Sequence, residues 1–374
     1  MTPNEPFSLC FIRRHFSLYG GAERYLSRLI ETLGSRYDQH VIAERWEDVP
    51  HMTLHRVSKH RWRGVKRFAM AVETILARNA FDVVFSLERT VGQDIYRAGD
   101  GVHREWLNIK RQHLRGNWMK EWLNPKNREI LTLERQLFAQ TPVIIANSQM
   151  VKRNVMQHYG VPEQRIQVIY NGVVVPDIAS RDELRTQVLT EARIPSDRPI
   201  FTYVGSGFER KGVGLFLQGL ALLKAPCHAF IVGKGDLRPY QKLARTLGIE
   251  QRVTFTGPVK EPALYYAAAN LFVLPTYYDP FSNTCLEAAS WGTAVLTSSN
   301  NGASELLHNA GVLEHFTPEE LANKMEPFLD HTRAREHGAQ ARCIAEEFSI
   351  ESNVEQTIAV IQAVIASKQR GVCV

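Results

Sequence analysis

The chain has 374 residues, 44% hydrophobic and 22% charged, which excludes disordered, collagen-like and low-complexity proteins and leaves room for two domains of ~100–200 residues. No apolar run approaches the roughly 18 residues of a membrane-spanning helix, and residues 1–7 lack the basic and apolar regions of a signal peptide, so a cytoplasmic protein is expected. The net charge of +6 is uneven: residues 1–175 hold 26 Lys and Arg against 17 Asp and Glu, and the remainder 19 against 22.

A basic first half expects an anionic partner: nucleic acid, a phosphorylated substrate or an anionic membrane. The five scattered cysteines contain no Cys-x-x-Cys, which fits reduced thiols and neither a disulfide framework nor a zinc site. Along the chain, short β-branched runs alternate with amphipathic stretches, the pattern of parallel sheets covered by helices. Phe7–Ile12 reads as a strand. Ala22, Tyr25, Leu26, Leu29, Ile30 and Leu33 then recur at helical spacing behind Gly20-Gly21. Further strands of the first half fall at 83–85, 143–145 and 166–169. A second set begins with Ile200–Val204 and continues at 229–232, 253–255, Leu271–Leu274 and 294–296. Pro176 and Pro195 bracket a polar helix between the sets, which places the domain boundary after Val175. The final helix begins at Ile350, carries Val354, Ile358, Ile361 and Ile365 on one face, and packs back on the first domain. Two Rossmann-like α/β domains facing across a cleft are the expected architecture.

The densest chemistry lies between Leu274 and Ala288. A strand ends at Pro275, a turn follows, and a helix opens near Asn283. The backbone amides of Ser282, Asn283 and Thr284, behind Phe281, then face out of a helix N-terminus that favours an anion. Asp279 and Glu287 flank this turn, and Glu287 lies one helical turn past Asn283. A carboxylate there can accept two hydrogen bonds from a ribose diol. After the strand Ile200–Val204, Gly205 is followed by Arg210-Lys211-Gly212, two cations among glycines that suit a diphosphate.

Asp279-x7-Glu287, followed by Ala-Ala-Ser-Trp-Gly-Thr-Ala-Val-Leu, resembles the Glu-x7-Glu signature of retaining GT-B glycosyltransferases, family 4 in particular. Here the first acid is Asp, one methylene shorter. The resemblance implies that Glu287 binds the nucleotide ribose and that Asp279 lies near hydroxyls of the donor sugar. It assigns Arg210 and Lys211 to the donor diphosphate, Lys211 first because many relatives carry Arg where this chain has Ser206. It also gives the segment of Pro258 and Val259 to the base and Gly20 and Gly21 to the loop beneath the diphosphate. In the branch of the family that adds glucose from UDP-glucose to heptose of the lipopolysaccharide core, an Asp falls in this region, to which Asp100 would correspond. Asp100 is thereby expected to orient or deprotonate the acceptor hydroxyl, with His103 as the second candidate.

Residues 104–138 carry eight Lys and Arg and three tryptophans. Trp106, Trp118 and Trp122 interleaved with Lys110, Arg111, Arg115 and Lys120 suit an anionic membrane or lipopolysaccharide surface. The same residues also suit an insertion whose aromatics pack on the domain, and both readings stay open. No nucleic-acid motif of named type is present, so nucleic acid is not an expected partner. No Asp-x-Asp occurs, so no metal or other cofactor is expected. The whole reading is a retaining hexosyltransferase that moves a hexose, glucose from UDP-glucose, onto a lipopolysaccharide or glycolipid acceptor at the inner face of the plasma membrane. Rivals are a family 4 transferase with a mannosyl or N-acetylglucosaminyl donor, a nucleotide-sugar epimerase on the same scaffold, and a non-catalytic basic membrane-binding or nucleic-acid-binding protein.

Overall fold

A computed structural model describes residues 6–15, 21–46, 52–57, 64–114 and 118–371, without the side chains of residues 21–24 and Trp118. Its strand–helix alternation resolves into two units, Met1–Tyr170 with Ile350–Val374, and Asn171–Ser349. The division thus falls after Tyr170 rather than after Val175.

The first unit carries β1 (Phe7–Ile12), α1 (Gly21–Leu33), β2 (Tyr37–Ala43), β3 (Met52–Arg56), α2 (Val65–Leu76), β4 (Val83–Ser86) and β5 (Ile95–Arg97). There follow α3 (His103–His113), α4 (Trp118–Leu123), α5 (Pro125–Gln140), β6 (Val143–Ala146), α6 (Gln149–Tyr159) and β7 (Ile166–Val168). The strands form a seven-stranded parallel sheet in the order β3-β2-β1-β4-β5-β6-β7. Residue alternation in β1 shows why helices cover both faces. Leu9 and Phe11 enter one core with Leu26, Leu29 and Phe85, whereas Cys10 and Ile12 enter another with Phe68, Val72 and Val84. Each such side chain contributes about 1.5–3 kcal/mol on burial.

The second unit runs α7 (Arg181–Glu191), β8 (Ile200–Val204), α8 (Val213–Leu222), β9 (His228–Val232), α9 (Arg238–Thr246), β10 (Val253–Gly257) and α10 (Ala263–Ala268). It continues with β11 (Leu271–Leu274), α11 (Asn283–Ser290), β12 (Ala294–Ser298), β13 (Val312–Leu313), α12 (Pro318–Met325) and α13 (His331–Glu347). Its six parallel strands lie in the order β10-β9-β8-β11-β12-β13. Arginines fix the carboxyl end of α11: Arg181 Nη1 donates to Gly292 O at 2.7 Å and Arg342 Nη1 to Ser290 O at 2.6 Å. A cation at a helix C-terminus satisfies its last carbonyls, so the opposite end of α11 is left toward the loops that follow the strands.

The last helix, α14 (Ile350–Gln369), belongs to the first unit. Val354, Ile361 and Ile365 complete the Leu9–Phe11 core, and Tyr25 Oη donates to Thr357 Oγ1 at 3.1 Å. Lys368 Nζ pairs with Asp94 Oδ1 at 2.6 Å near the other end of the helix. Cys10, Cys227, Cys285 and Cys343 are free thiols. Strands β2, β3, β5 and β13 escape the sequence reading. Asp38, Gln39 and His40 interrupt the apolar run of β2, β3 is a half-exposed edge, and β5 and β13 are three and two residues long. Segments that short carry no readable period.

Candidate active site

In parallel sheets, ligand groups gather where chains leave the carboxyl ends of the strands. In the second unit the loops after β8, β9 and β11 touch backbone to backbone there. Gly205 N donates to Val232 O at 2.9 Å. Gly233, at φ +144°, lies so close that an added Cβ would stand 1.9 Å from Gly205 O. Gly212, at φ +78°, approaches the next loop as closely: its Cβ would stand 2.1 Å from Pro275 O. No other residue fits either position without moving backbone.

This stacking brings Arg210 and Lys211 to Asp279. Tyr277 N donates to Arg210 O at 2.9 Å, and Thr276 Oγ1 to the same oxygen at 3.2 Å. Lys211 Nζ lies 3.1 Å and Arg210 Nη1 3.6 Å from Asp279 Oδ2, and Arg210 also donates to Tyr278 O. Asp279 is 7% exposed. The carboxylate that the Glu-x7-Glu resemblance assigns to the donor sugar is therefore held, in this structure, by the two cations assigned to the diphosphate.

The turn into α11 is organised by Asn301, which is fully buried and was not singled out in the sequence. Its Oδ1 accepts from Ser282 N and Ala303 N, each at 3.1 Å, and its Nδ2 donates to Thr297 Oγ1 at 2.8 Å. Beside it, Asp279 N donates to Asn300 O and Gly302 N to Asp279 O, both at 3.0 Å. The amide of Ser282 is thus spent on Asn301, a correction to the expectation that it faces an anion; the hydroxyl of Ser282 pairs with Thr284 Oγ1 at 2.9 Å. Asn283 and Thr284 remain at the first turn of α11, half-buried, with Asn283 Oδ1 accepting from Asn171 Nδ2 at 2.7 Å. Glu287 is half-buried one turn on, and Tyr266 Oη donates to its Oε2 at 2.8 Å. Tyr266 presets that carboxylate and is a second residue the sequence did not reveal. Phe281 is buried beneath the turn. Pro258 and Val259 follow β10, which β9 separates from β8.

In the first unit, Asp100 sits on the turn after β5, with Gly101 at φ +66° closing it. Its carboxylate is 61% exposed, and Arg89 holds it from below. Arg89 Nη1 lies 3.2 Å from Asp100 Oδ2, Nη2 donates to Gly101 O at 3.2 Å, and Nε donates to Glu134 Oε1 at 3.0 Å. The Glu134 side chain has no exposure at all and accepts two further hydrogen bonds, from His103 N at 2.8 Å and Tyr159 Oη at 2.6 Å. Burial opposes the Arg89 charge, but Tyr96, Glu134 and Asp100 outweigh it and hold the guanidinium above its ordinary range. Burial, then neighbouring Glu134, push the Tyr159 phenol up, so it stays a donor. His103 Nε2 pairs with Asn127 Oδ1 at 3.0 Å, and burial lowers its imidazole below the usual value. Arg89, Glu134 and Tyr159 lie far apart in sequence on different elements, and nothing in their local pattern announces the cluster. Gly20 lies outside the described residues, and Gly21 is the first residue of α1.

Residues 104–138 fold as α3, α4 and α5. Lys110 Nζ pairs with Glu121 Oε1 at 2.7 Å. Trp106 is half-buried and Arg111 exposed. On α4, Met119, Trp122 and Leu123 are 53%, 43% and 70% exposed, beside exposed Lys120. Arg115 and the Trp118 side chain lie outside the description. Among the described residues no group of three or more His, Cys, Asp or Glu gathers as a metal site, and no helix is long and apolar enough to cross a membrane.

Residues 198–331 match the family Glycosyl transferases group 1, and residues 19–175 match Glycosyltransferase Family 4. The chain is a GT-B glycosyltransferase built from these two domain types. It is related to the lipopolysaccharide glucosyltransferase WaaG of Escherichia coli K12, 25% identical over 338 residues that make up 85% of this chain and 88% of that one. A crystal structure of WaaG, a glycosyltransferase involved in lipopolysaccharide biosynthesis, superposes with a TM-score of 0.80 at 23% identity, covering 94% of this chain and 99% of that one. Anabaena HepE in complex with UDP-glucose gives 0.71 at 19% identity, covering 95% and 99%. The D-inositol 3-phosphate glycosyltransferase of Nocardia farcinica is 30% identical over 243 residues, 60% of this chain and 53% of its own.

Proposed function

We propose that the chain transfers glucose from UDP-glucose, with retention of configuration and without a divalent metal, to a sugar of a lipopolysaccharide core at an anionic membrane surface. The observation that carries the reading is the meeting of Arg210 and Lys211 with Asp279 beside the first turn of α11, with Glu287 one turn further. Two cations and helix-end amides are what a departing diphosphate needs. The glucosyltransferase name of WaaG and the UDP-glucose bound in the HepE structure support glucose and UDP.

In this reading Glu287, preset by Tyr266, accepts the ribose hydroxyls. The diphosphate draws Lys211 and Arg210 from Asp279, which frees that carboxylate for hydroxyls of the sugar. The bond from the anomeric carbon to the phosphate oxygen breaks as the acceptor oxygen bonds the same face of that carbon, and the acceptor proton passes to the leaving phosphate. Asp100, fixed by Arg89, accepts a hydrogen bond from the acceptor hydroxyl and orients it. Exposed Met119, Trp122 and Leu123 beside Lys120 supply the membrane contact.

The test offers UDP-glucose, UDP-N-acetylglucosamine and GDP-mannose with one truncated lipopolysaccharide in EDTA. Release of UDP from UDP-glucose alone is expected. Release from another donor overturns the glucose assignment, and activity that appears only when magnesium is restored overturns the metal-free one. Replacing Trp122 and Lys120 together by Ser should weaken binding to anionic vesicles; unchanged binding removes the membrane contact from the proposal.

A further inference from the structure

A buried phenol beneath the cation loop has no role in the reading above. Tyr203, on β8, has no exposed surface, and its hydroxyl has no hydrogen-bond partner among the described residues. The ring is packed edge-on against Phe208 at 6.1 Å between centroids, and Phe208 packs in turn against Tyr240 at 5.6 Å. The hydroxyl is therefore held in one place and points at the start of the loop 205–212.

A Cβ added to Gly205 would stand 3.3 Å from Tyr203 Oη, 3.0 Å from Lys211 Cδ and 3.5 Å from Lys211 Nζ. The stem of Lys211 thus lies across Gly205 in the space a side chain would take. Its ammonium reaches Asp279 Oδ2 at 3.1 Å. Burial pushes the phenol up, so it remains protonated and can donate a hydrogen bond. Leaving a buried hydroxyl without a partner costs free energy that phenylalanine would not incur at this position. A group that is costly in one state is explained by a second state in which it is paired.

We propose that Tyr203 is a phosphate-binding residue of the donor site, paired only when donor is bound: as a nucleoside diphosphate draws Lys211 off Asp279, the hydroxyl donates to the same diphosphate. The proposal rests on the assignment of Lys211 to the donor diphosphate. It gives this chain a third diphosphate ligand besides Arg210 and Lys211, and one that carries no charge.

The experiment compares wild type, Tyr203→Phe and Lys211→Met by calorimetric titration with UDP and with uridine, and by thermal unfolding without ligand. Tyr203→Phe should bind UDP about tenfold more weakly. It should bind uridine as wild type does, and should raise the Tm of the free protein by about 2–4 °C. Opposite signs for stability and affinity are what a merely structural tyrosine would not give. If Lys211→Met weakens UDP binding while Tyr203→Phe leaves it unchanged, the tyrosine proposal falls and the donor reading stands. A lowered Tm for free Tyr203→Phe also overturns it, because the hydroxyl would then be partnered without donor. If wild type binds no UDP, or Lys211→Met binds it unchanged, the donor assignment itself falls.

Discussion

The two units position their candidate residues by opposite means. In the second, Arg210, Lys211 and Asp279 meet because three loops leave neighbouring parallel strands at the same sheet edge and press backbone against backbone at Gly212 and Gly233. In the first, Asp100 stands on an exposed turn whose place is set from beneath by Arg89, itself anchored to fully buried Glu134. One site is a stack of loops in which glycines decide what can approach. The other is an electrostatic post driven into the domain interior. The difference teaches where each is fragile: the loop stack tolerates loss of a charge and not of a glycine, whereas the post tolerates no loss of charge at its base.

The sharpest way to break that contrast is to remove the post. Arg89→Met leaves Glu134 buried with two neutral donors and no cation, and one-sided removal of a buried ion pair costs about 3–5 kcal/mol. Urea unfolding should show a loss of that size, with turnover lost as well. Lys211→Met, which breaks the corresponding pair in the second unit, should cost far less stability because Arg210 remains beside Asp279. Equal losses in the two variants would erase the distinction between post and stack.

Next come the two groups assigned to acceptor and donor. Asp100→Ala should lower kcat about a hundredfold, or about 2.7 kcal/mol, while UDP affinity stays at the wild-type value. Glu287→Ala should instead weaken UDP about tenfold, or about 1.4 kcal/mol, since it removes a ribose contact. Steady-state kinetics and titration together read both. Should Asp100→Ala weaken UDP, or Glu287→Ala bind it normally, the division of labour between the units is wrong.

What could be read from the sequence follows the same line. Ile200–Val204, apolar but for Thr202 and set between Pro199 and Gly205, and the apolar run Leu271–Leu274, closed by Pro275, are marked by the sequence without ambiguity. Arg210, Lys211 and Asp279 lie in the loops directly after those strands and Glu287 on the helix that follows, so local spacing already places them together. Asn301 and Tyr266 escaped because one works through a buried amide and the other through a hydroxyl across two helices, neither of which leaves a local pattern. The Arg89, Glu134 and Tyr159 cluster is further from reach still, since its members come from a loop and two helices separated by tens of residues. Glu121, which pairs with Lys110 in the basic, Trp-rich stretch, was likewise not marked by any local pattern.

The smallest expected effect concerns pH and tests the second unit alone. His228 opens β9, and its Nε2 lies 2.8 Å from Thr254 Oγ1 on β10. Burial, with Arg198 and Arg252 adding repulsion, lowers its pKa from the ordinary 6.5 to about 4. Between those two values the unfolded chain takes up a proton that the folded unit refuses, so acid favours unfolding. The stabilisation is complete above the unfolded pKa and is lost as pH falls toward the folded one. His228→Asn removes the titrating group and keeps a polar contact for Thr254. Its urea midpoint should fall less steeply than that of wild type between pH 6.5 and about 4. His103 is lowered in the same direction in the first unit, so part of the acid sensitivity must survive in the variant. If the two slopes coincide, His228 takes up its proton at the same pH in the folded and unfolded states, and the lowered pKa is wrong.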